Sequence, residues 1–319
     1  MNTFIKKVIK FVLLVTVVFS TLHITLDYFF KNGKFCNNTW SEIFKANLDV
    51  DIAVIGNSRA EVHYNPEIIS SITGLKCYNL GLSGTPINIY DIRWKSYINR
   101  NKLPKILIID LDYNFLGEGK GIYEKFQYLP YVNEIEYQHI AQRVDKDFNL
   151  DQYLPLYKYQ GEQGAVFSKL KSFFYKDCKE SENGYKVKNK SWNENEWNIF
   201  KAKRMNEVAN SDTFYDLYKK GHLKLNEILD FCKQNKIKTY LVWSPQYFEV
   251  HKFKENQRQY VDSLINNIAS NYDIDYLNFS RDSLVYNKSN FYNHSHLNYK
   301  GAKLFSKSIA AHIKNKASL

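Results

Sequence analysis

Short apolar runs that stop abruptly at a small or polar residue recur along this chain, with stretches of helical spacing between them. Residues 52–55 are bounded by Asp51 and Gly56, residues 77–80 end at Gly81, and residues 106–110 follow Pro104. Residues 239–243 are stopped by Ser244-Pro245, and Asp275-Tyr276-Leu277-Asn278, with polar ends, is a candidate fifth strand. Uninterrupted apolar runs of this length fit strands buried on both faces. Helices are predicted over 88–101, 213–234, 255–272 and 299–314, and Thr39-Trp40-Ser41-Glu42 has the spacing of a capping box. Strands alternating with helices imply a parallel sheet covered on both sides. The rhythm breaks between about 116 and 210, where tyrosine and lysine dominate and 180–196 is strongly polar. That stretch reads as a largely helical insertion between the third and fourth strands, beside the strand C-termini where open α/β sheets place ligands.

The N-terminus follows another pattern. From Phe11 to Leu26 no charge interrupts a nearly continuous apolar run. With its flanks, 4–30, it exceeds the roughly 20 residues that cross a bilayer. Lys6, Lys7 and Lys10 precede it, which by the positive-inside rule puts the N-terminus in the cytoplasm and the rest outside. A cleaved signal peptide is the competing reading, but Asp27-Tyr28-Phe29-Phe30 follows the run where a small-x-small site would be needed. The expected organisation is a signal anchor over 1–30, a juxtamembrane linker with a short helix over 31–49, and one domain over 50–319.

Composition adds limits. The 319 residues can bury one sizeable core, and 44% hydrophobic with 24% charged residues is globular. The formal charge of +11 is spread over lysine-rich helices, with no arginine-rich or basic-aromatic run to suggest nucleic acid. A solvated lysine surface explains most of it; attraction to anionic lipid or an anionic envelope polymer is the other reading. Cys36, Cys77, Cys178 and Cys232 contain no Cys-x-x-Cys pair, which argues against a zinc or thioredoxin-type site. No metal cluster or nucleotide loop is visible, so no cofactor or metal is expected.

Two motifs carry candidate chemistry. Gly56-Asn57-Ser58-Arg59 follows the first strand, and Asn293-His294-Ser295-His296-Leu297-Asn298 precedes the last helix. A serine at a strand's C-terminal edge, with backbone N–H groups of a following helix beside it, can act as a nucleophile if a base is supplied. The alternative is that Ser58 only caps that helix. His296 is the candidate base; alternatively it packs at a helix entry that Asn298 caps.

Together these motifs resemble the SGNH/GDSL hydrolase superfamily. Gly56-Asn57-Ser58 is similar to its first block, Asn79-Leu80-Gly81-Leu82-Ser83-Gly84 to its second, and Asn293-x-x-His296 to its Asp-x-x-His block. The resemblance covers roughly 50–114 and 237–313. It implies a flavodoxin-like three-layer α/β/α sandwich with a central parallel sheet, Ser58 as nucleophile and His296 as general base. It also implies an oxyanion hole from the Ser58 and Gly84 backbone, with Asn114 as a further candidate although the glycines around the family's third-block asparagine are absent. Asn293 stands where the family has a carboxylate. An amide oxygen can orient the ring but cannot stabilise its charge, so Asp282 or a backbone carbonyl are alternative partners for His296. The chain looks most similar to a membrane-anchored branch that includes D-alanyl-lipoteichoic acid biosynthesis proteins and alginate-type O-acetyltransferases. That likeness implies an acylated glycan or envelope polymer as substrate and a membrane-bound acyltransferase as partner. The function expected is an anchored serine esterase or O-acyltransferase; the alternative is a catalytically weak binding or assembly protein of the same fold.

Overall fold

The computed structural model describes residues 3–32, 39–112, 117, 125–134, 136, 138, 148–174, 183–205, 211–253 and 255–317. The chain divides into two compact units, 1–42 with 120–180 and 43–119 with 181–319.

The first unit begins with α1 (Thr3–Asn32), a helix long and apolar enough to cross a membrane, with nothing in its most apolar window buried. Its last turns are packed: Phe30 meets Phe126 edge-on at 5.3 Å and leans on Tyr159. Trp40, in α2 (Thr39–Phe44), packs against Tyr128 and Tyr131. Two short helices, α6 (Phe148–Tyr153) and α7 (Gln163–Phe174), complete this unit.

The second unit is the α/β body. Its five strands are β1 (Ile52–Ile55), β2 (Cys77–Asn79), β3 (Ile106–Leu111), β4 (Lys238–Trp243) and β5 (Asp275–Asn278), all parallel, in the order 2-1-3-4-5. This is the flavodoxin-like order. Every residue of β1 and β3 is buried, which is why both runs lack polar alternation until Asp110. The helices are α3 (Ser58–His63), α4 (Pro66–Thr73), α5 (Ile87–Ile98), α8 (Glu194–Met205), α9 (Ser211–Gln234), α10 (Glu255–Tyr272) and α11 (Tyr299–Ala317). Local chemistry sets their ends. Asn65 accepts the N–H groups of Glu67 and Ile68 at the start of α4, Pro66 occupies its first turn, and Gly74 closes it with φ 75°.

The expected strands and helices of this body are present, with ends shifted by at most three residues. One difference is substantive. The motif before the last helix, expected as a loop, is a two-stranded antiparallel hairpin of β6 (Phe291–Asn293) and β7 (His296–Leu297). A second concerns 183–193, which the sequence assigns to the insertion. It belongs to the α/β unit, where Asn183 accepts the Asn79 N–H and Lys186 donates to the Glu61 carbonyl. Cys77 and Cys232 are buried free thiols, and Cys36 and Cys178 lie outside the described residues.

Candidate active site

In the 2-1-3-4-5 order the chain leaves β1 toward β2 on one side and later returns to β3 on the other. The reversal opens a crevice at the C-terminal ends of β1 and β3. Ser58 is the first residue of α3, directly above β1. It does not cap that helix. Asn57 does, its Oδ1 accepting the Arg59 N–H at 3.0 Å, which frees the Ser58 hydroxyl. The Asn57 amide nitrogen donates to Asp112 Oδ2 at 2.9 Å, just past β3. Asn57 therefore needs both faces of its amide; an aspartate here would set two carboxylates against each other.

Ser58 Oγ lies 2.8 Å from His296 Nε2, across 238 residues of sequence. The other ring nitrogen, Nδ1, lies 2.9 Å from Asn293 Oδ1. That same oxygen accepts the backbone N–H groups of Ser295 (3.1 Å) and His296 (3.0 Å). Three donors converge on it, so it is the amide's oxygen and not its nitrogen that faces the ring. Nδ1 must then carry the proton, and Nε2 presents its lone pair to the Ser58 hydroxyl. The side-chain turn that folds the hairpin also selects the tautomer a general base needs. Tyr292 stacks on the ring at 5.4 Å and 12°, with Lys188 above Tyr292. Burial lowers the His296 pKa to about 3, helped by the positive charges of Arg59, His294 and Lys188. His294, next in the hairpin, stacks on Phe200 at 3.8 Å.

Behind the pair is a buried polar cluster. His63, wholly buried, accepts the Leu297 N–H on Nε2 at 3.0 Å and donates from Nδ1 to Ser244 Oγ at 3.1 Å. It thus ties α3, which carries Ser58, to β7, which carries His296. Burial holds His63 well below the ordinary histidine pKa. Asp110, at the end of β3, accepts the Tyr64 hydroxyl at 2.8 Å and has the Arg59 guanidinium 3.7 Å away. Burial raises its pKa to about 6, against the opposing pull of Arg59, Ser244 and Tyr64. Arg59 also donates to the Leu111 carbonyl at 2.6 Å.

The second block is structural in part. The Asn79 amide donates to the Ala60 and Tyr64 carbonyls and accepts the Gly81 N–H, pinning α3 to β2. At Gly81 a Cβ would lie 2.5 Å from the Glu61 nitrogen, so only glycine fits against α3. The turn continues through Leu82, whose N–H bonds the Gly56 carbonyl at 3.1 Å, to Gly84 at φ 69°. Ser83 in that turn donates to the buried Glu61.

Of the sequence candidates, the structure joins Ser58, His296 and Asn293 in one hydrogen-bonded line. Gly84 lies in the turn docked on the strand end before Ser58, and Asn114 lies outside the described residues. Asp282 caps the turn at Ser283–Tyr286 by accepting the Leu284 N–H, and Asn293 is the Nδ1 partner in its place. Asn298 caps α11 as expected, accepting the Gly301 N–H. Sequence reasoning missed His63, Asp110, Asp112 and Arg59. Charged residues at the end of an otherwise apolar strand, Asp110-Leu111-Asp112, were the available signal, because buried carboxylates need partners. Among the described residues no group of three or more His, Cys, Asp or Glu side chains could hold a metal ion.

No protein-family model and no curated protein matches the chain. Among solved structures it is similar to a protein described as an acylhydrolase from Bacteroides fragilis, at 12% identity over 88% of this chain and 97% of that one, TM-score 0.41. It is also similar to a GDSL-like lipase from Bacteroides thetaiotaomicron, at 14% identity over 90% and 99%, TM-score 0.41. A third is a lipolytic protein of the G-D-S-L family from Desulfitobacterium hafniense, at 11% over 82% and 98%, TM-score 0.36. Likeness at this level assigns no activity; the fold rests on its own strand order.

Proposed function

We propose that this chain is a membrane-anchored serine esterase or O-acyltransferase of the SGNH/GDSL type, acting on acyl esters of a cell-envelope polysaccharide. The observation that carries the chemistry is the line from Ser58 Oγ to His296 Nε2 at 2.8 Å and from Nδ1 to the Asn293 oxygen at 2.9 Å. In the reaction, His296 Nε2 takes the hydroxyl proton as Ser58 Oγ attacks the ester carbonyl. Backbone N–H groups at the start of α3 and in the Gly84 turn hold the oxyanion, with Asn114 as a further donor. The imidazolium returns the proton to the leaving alkoxide, leaving an acyl-serine. Water then releases the acid, or a sugar hydroxyl accepts the acyl group, each activated by the same ring. The apolar helix α1 supports anchoring, with Lys6, Lys7 and Lys10 on the cytoplasmic side and the α/β unit outside the cell.

The second reading is a binding or assembly protein of this fold that works with a membrane acyltransferase. It is favoured by the lack of a carboxylate on Nδ1 and by the low basicity of His296. A fluorophosphonate probe separates the two. Labelling that disappears in Ser58→Ala and weakens severely in His296→Ala is expected of the enzyme. Folded wild-type protein that takes no label would overturn that reading and leave the binding role.

A further inference from the structure

The C-terminal third of α1 carries polar side chains at an unusual depth. Lys10 is the last of the N-terminal lysines, and the chain beyond it is apolar to Leu26 apart from His23 and scattered hydroxyls. Taking Lys10 as one interface, a hydrocarbon layer of about 30 Å at ~1.5 Å per residue reaches the other near residue 30. His23 and Asp27 then lie inside that boundary. An unpaired carboxylate there would be costly. It is not unpaired. Asp27 takes the Lys158 ammonium at 2.7 Å and the Tyr159 hydroxyl at 2.6 Å, and the Lys158 side chain is fully buried. One turn earlier, His23 Nδ1 accepts the Leu156 N–H at 2.9 Å. Three bonds therefore fix the segment 156–159 against the helix at the depth of His23 and Asp27.

Three residues leading into that segment, Leu150, Tyr153 and Leu154, are apolar and face outward. Tyr153 is 74% exposed, Leu154 47% and Leu150 41%, all from α6 or the residue after it. The aromatic core of this unit, around Phe30, Tyr128 and Tyr159, does not cover them. On α1 the residues on either side of His23 are also open to the outside, with Leu22 48% and Ile24 66% exposed. Open apolar side chains thus lie on both partners of the His23–Leu156 contact. A tyrosine with its ring outward suits the headgroup boundary, where aromatic side chains gather.

We propose that residues 150–159 form a collar around the end of α1 that seats in the lipid bilayer. Leu150, Tyr153 and Leu154 contact acyl chains and headgroups, while Lys158 and Tyr159 neutralise Asp27 behind them. The proposal rests on the spanning role of α1 given above. It makes the membrane attachment broader than a single helix.

Site-directed nitroxide labelling of the full chain in phosphatidylcholine/phosphatidylglycerol vesicles tests it. In a Cys36→Ser/Cys178→Ser background, labels go at Leu154→Cys, at Val18→Cys in mid-helix, and at Leu304→Cys, exposed on α11. Collision with oxygen is compared with collision with a water-soluble nickel chelate. The expected oxygen-to-nickel ratio at Leu154 approaches that at Val18 and exceeds that at Leu304 by about threefold or more, as for a site at an amphipathic membrane surface. Asp27→Asn should lower the ratio at Leu154 and leave Val18 unchanged. An immersed Val18 with a Leu154 indistinguishable from Leu304 would overturn the collar alone. A Val18 that reads as water would instead overturn the spanning helix, and the collar with it.

Discussion

Two polar clusters meet at the adjacent residues Ser58 and Arg59 in the α/β unit, and they are built in opposite ways. Around Asn293 every partner is neutral: one amide oxygen accepts two backbone N–H groups and an imidazole. Around Asp110 the partners are charged or strongly polar: a buried carboxylate, a buried guanidinium, a tyrosine hydroxyl and the His63–Ser244 pair. The first orients the ring that would do the chemistry. The second fixes the frame on which serine and histidine are mounted. Charge is thus placed one layer behind the Ser58–His296 pair, and the His296 ring has an amide oxygen instead of a carboxylate on Nδ1. An amide oxygen gives the correct tautomer, because two backbone N–H groups prevent the amide from presenting its nitrogen. It would not stabilise the imidazolium that the proposed proton transfer from Ser58 forms. The site is organised for the right proton position and a weak base.

The sharpest cut removes the neutral line itself. Ser58→Ala or His296→Ala should lower turnover of a small acetyl ester by about 10³-fold or more, with unchanged thermal unfolding. A variant that keeps most of its activity would remove the catalytic half of the comparison. Next is the frame. His63→Ala leaves the Leu297 N–H and the Ser244 hydroxyl without their partner, and urea unfolding should report a loss of about 1–3 kcal/mol. His63→Gln, which can accept the Leu297 N–H, should recover part of it. Asn57→Asp belongs to the same tier: it loses the donor to Asp112, sets two carboxylates together, and should cost about 1–2 kcal/mol, relieved by adding Asp112→Asn. A double-mutant cycle with no coupling would show that the Asn57–Asp112 bond does not matter to the fold.

Smaller, and aimed at the missing charge, is Asn293→Asp. A carboxylate should raise the His296 pKa and increase kcat/KM by about tenfold, as a counter-ion to the imidazolium must. A lower rate would mean that the neutral partner is the better one. The subtlest reading is the pH profile. His296 must be neutral to act, and its pKa is lowered by burial to about 3. The wild-type kcat/KM should therefore stay level as pH falls through the ordinary histidine range and drop only near pH 4 and below, whereas Asn293→Asp should drop at higher pH. The linked stability runs the same way. A histidine whose folded pKa is depressed leaves the unfolded chain binding more protons below pH ~6.5, so the His63 and His296 contributions weaken as pH falls toward their folded values.

The parallel sheet was legible because 52–55 and 106–109 are apolar without interruption, which is the signature of a strand covered on both faces. Ser58 and His296 were legible as types at a strand end and a helix start. What could not be read was that Asn293 turns its oxygen toward the ring, since that depends on two backbone N–H groups positioned by a hairpin of only five strand residues. The hairpin was missed because neither strand is long enough to show alternation. His63 was missed because it sits in a six-residue helix with no periodicity, and its value lies in two partners 181 and 234 residues away. That 183–193, within the insertion, attaches to the α/β unit was not legible, because polarity marks a solvent-facing segment and not the body to which it attaches.

That last segment has a consequence of its own. Asn183 bonds along β2 and Gly184 lies so close to Asn79 that an added Cβ would be 1.9 Å from its carbonyl oxygen. The border of the sheet at β2 is therefore already occupied by the protein's own backbone, with no gap for a side chain. A neighbouring molecule that tried to extend the sheet there would have to evict this strap first, and an alanine at 184 would start that eviction from within. The same few residues that lead Lys186 to Glu61 and Lys188 to Tyr292 also close the Asn79 end of the β2 edge.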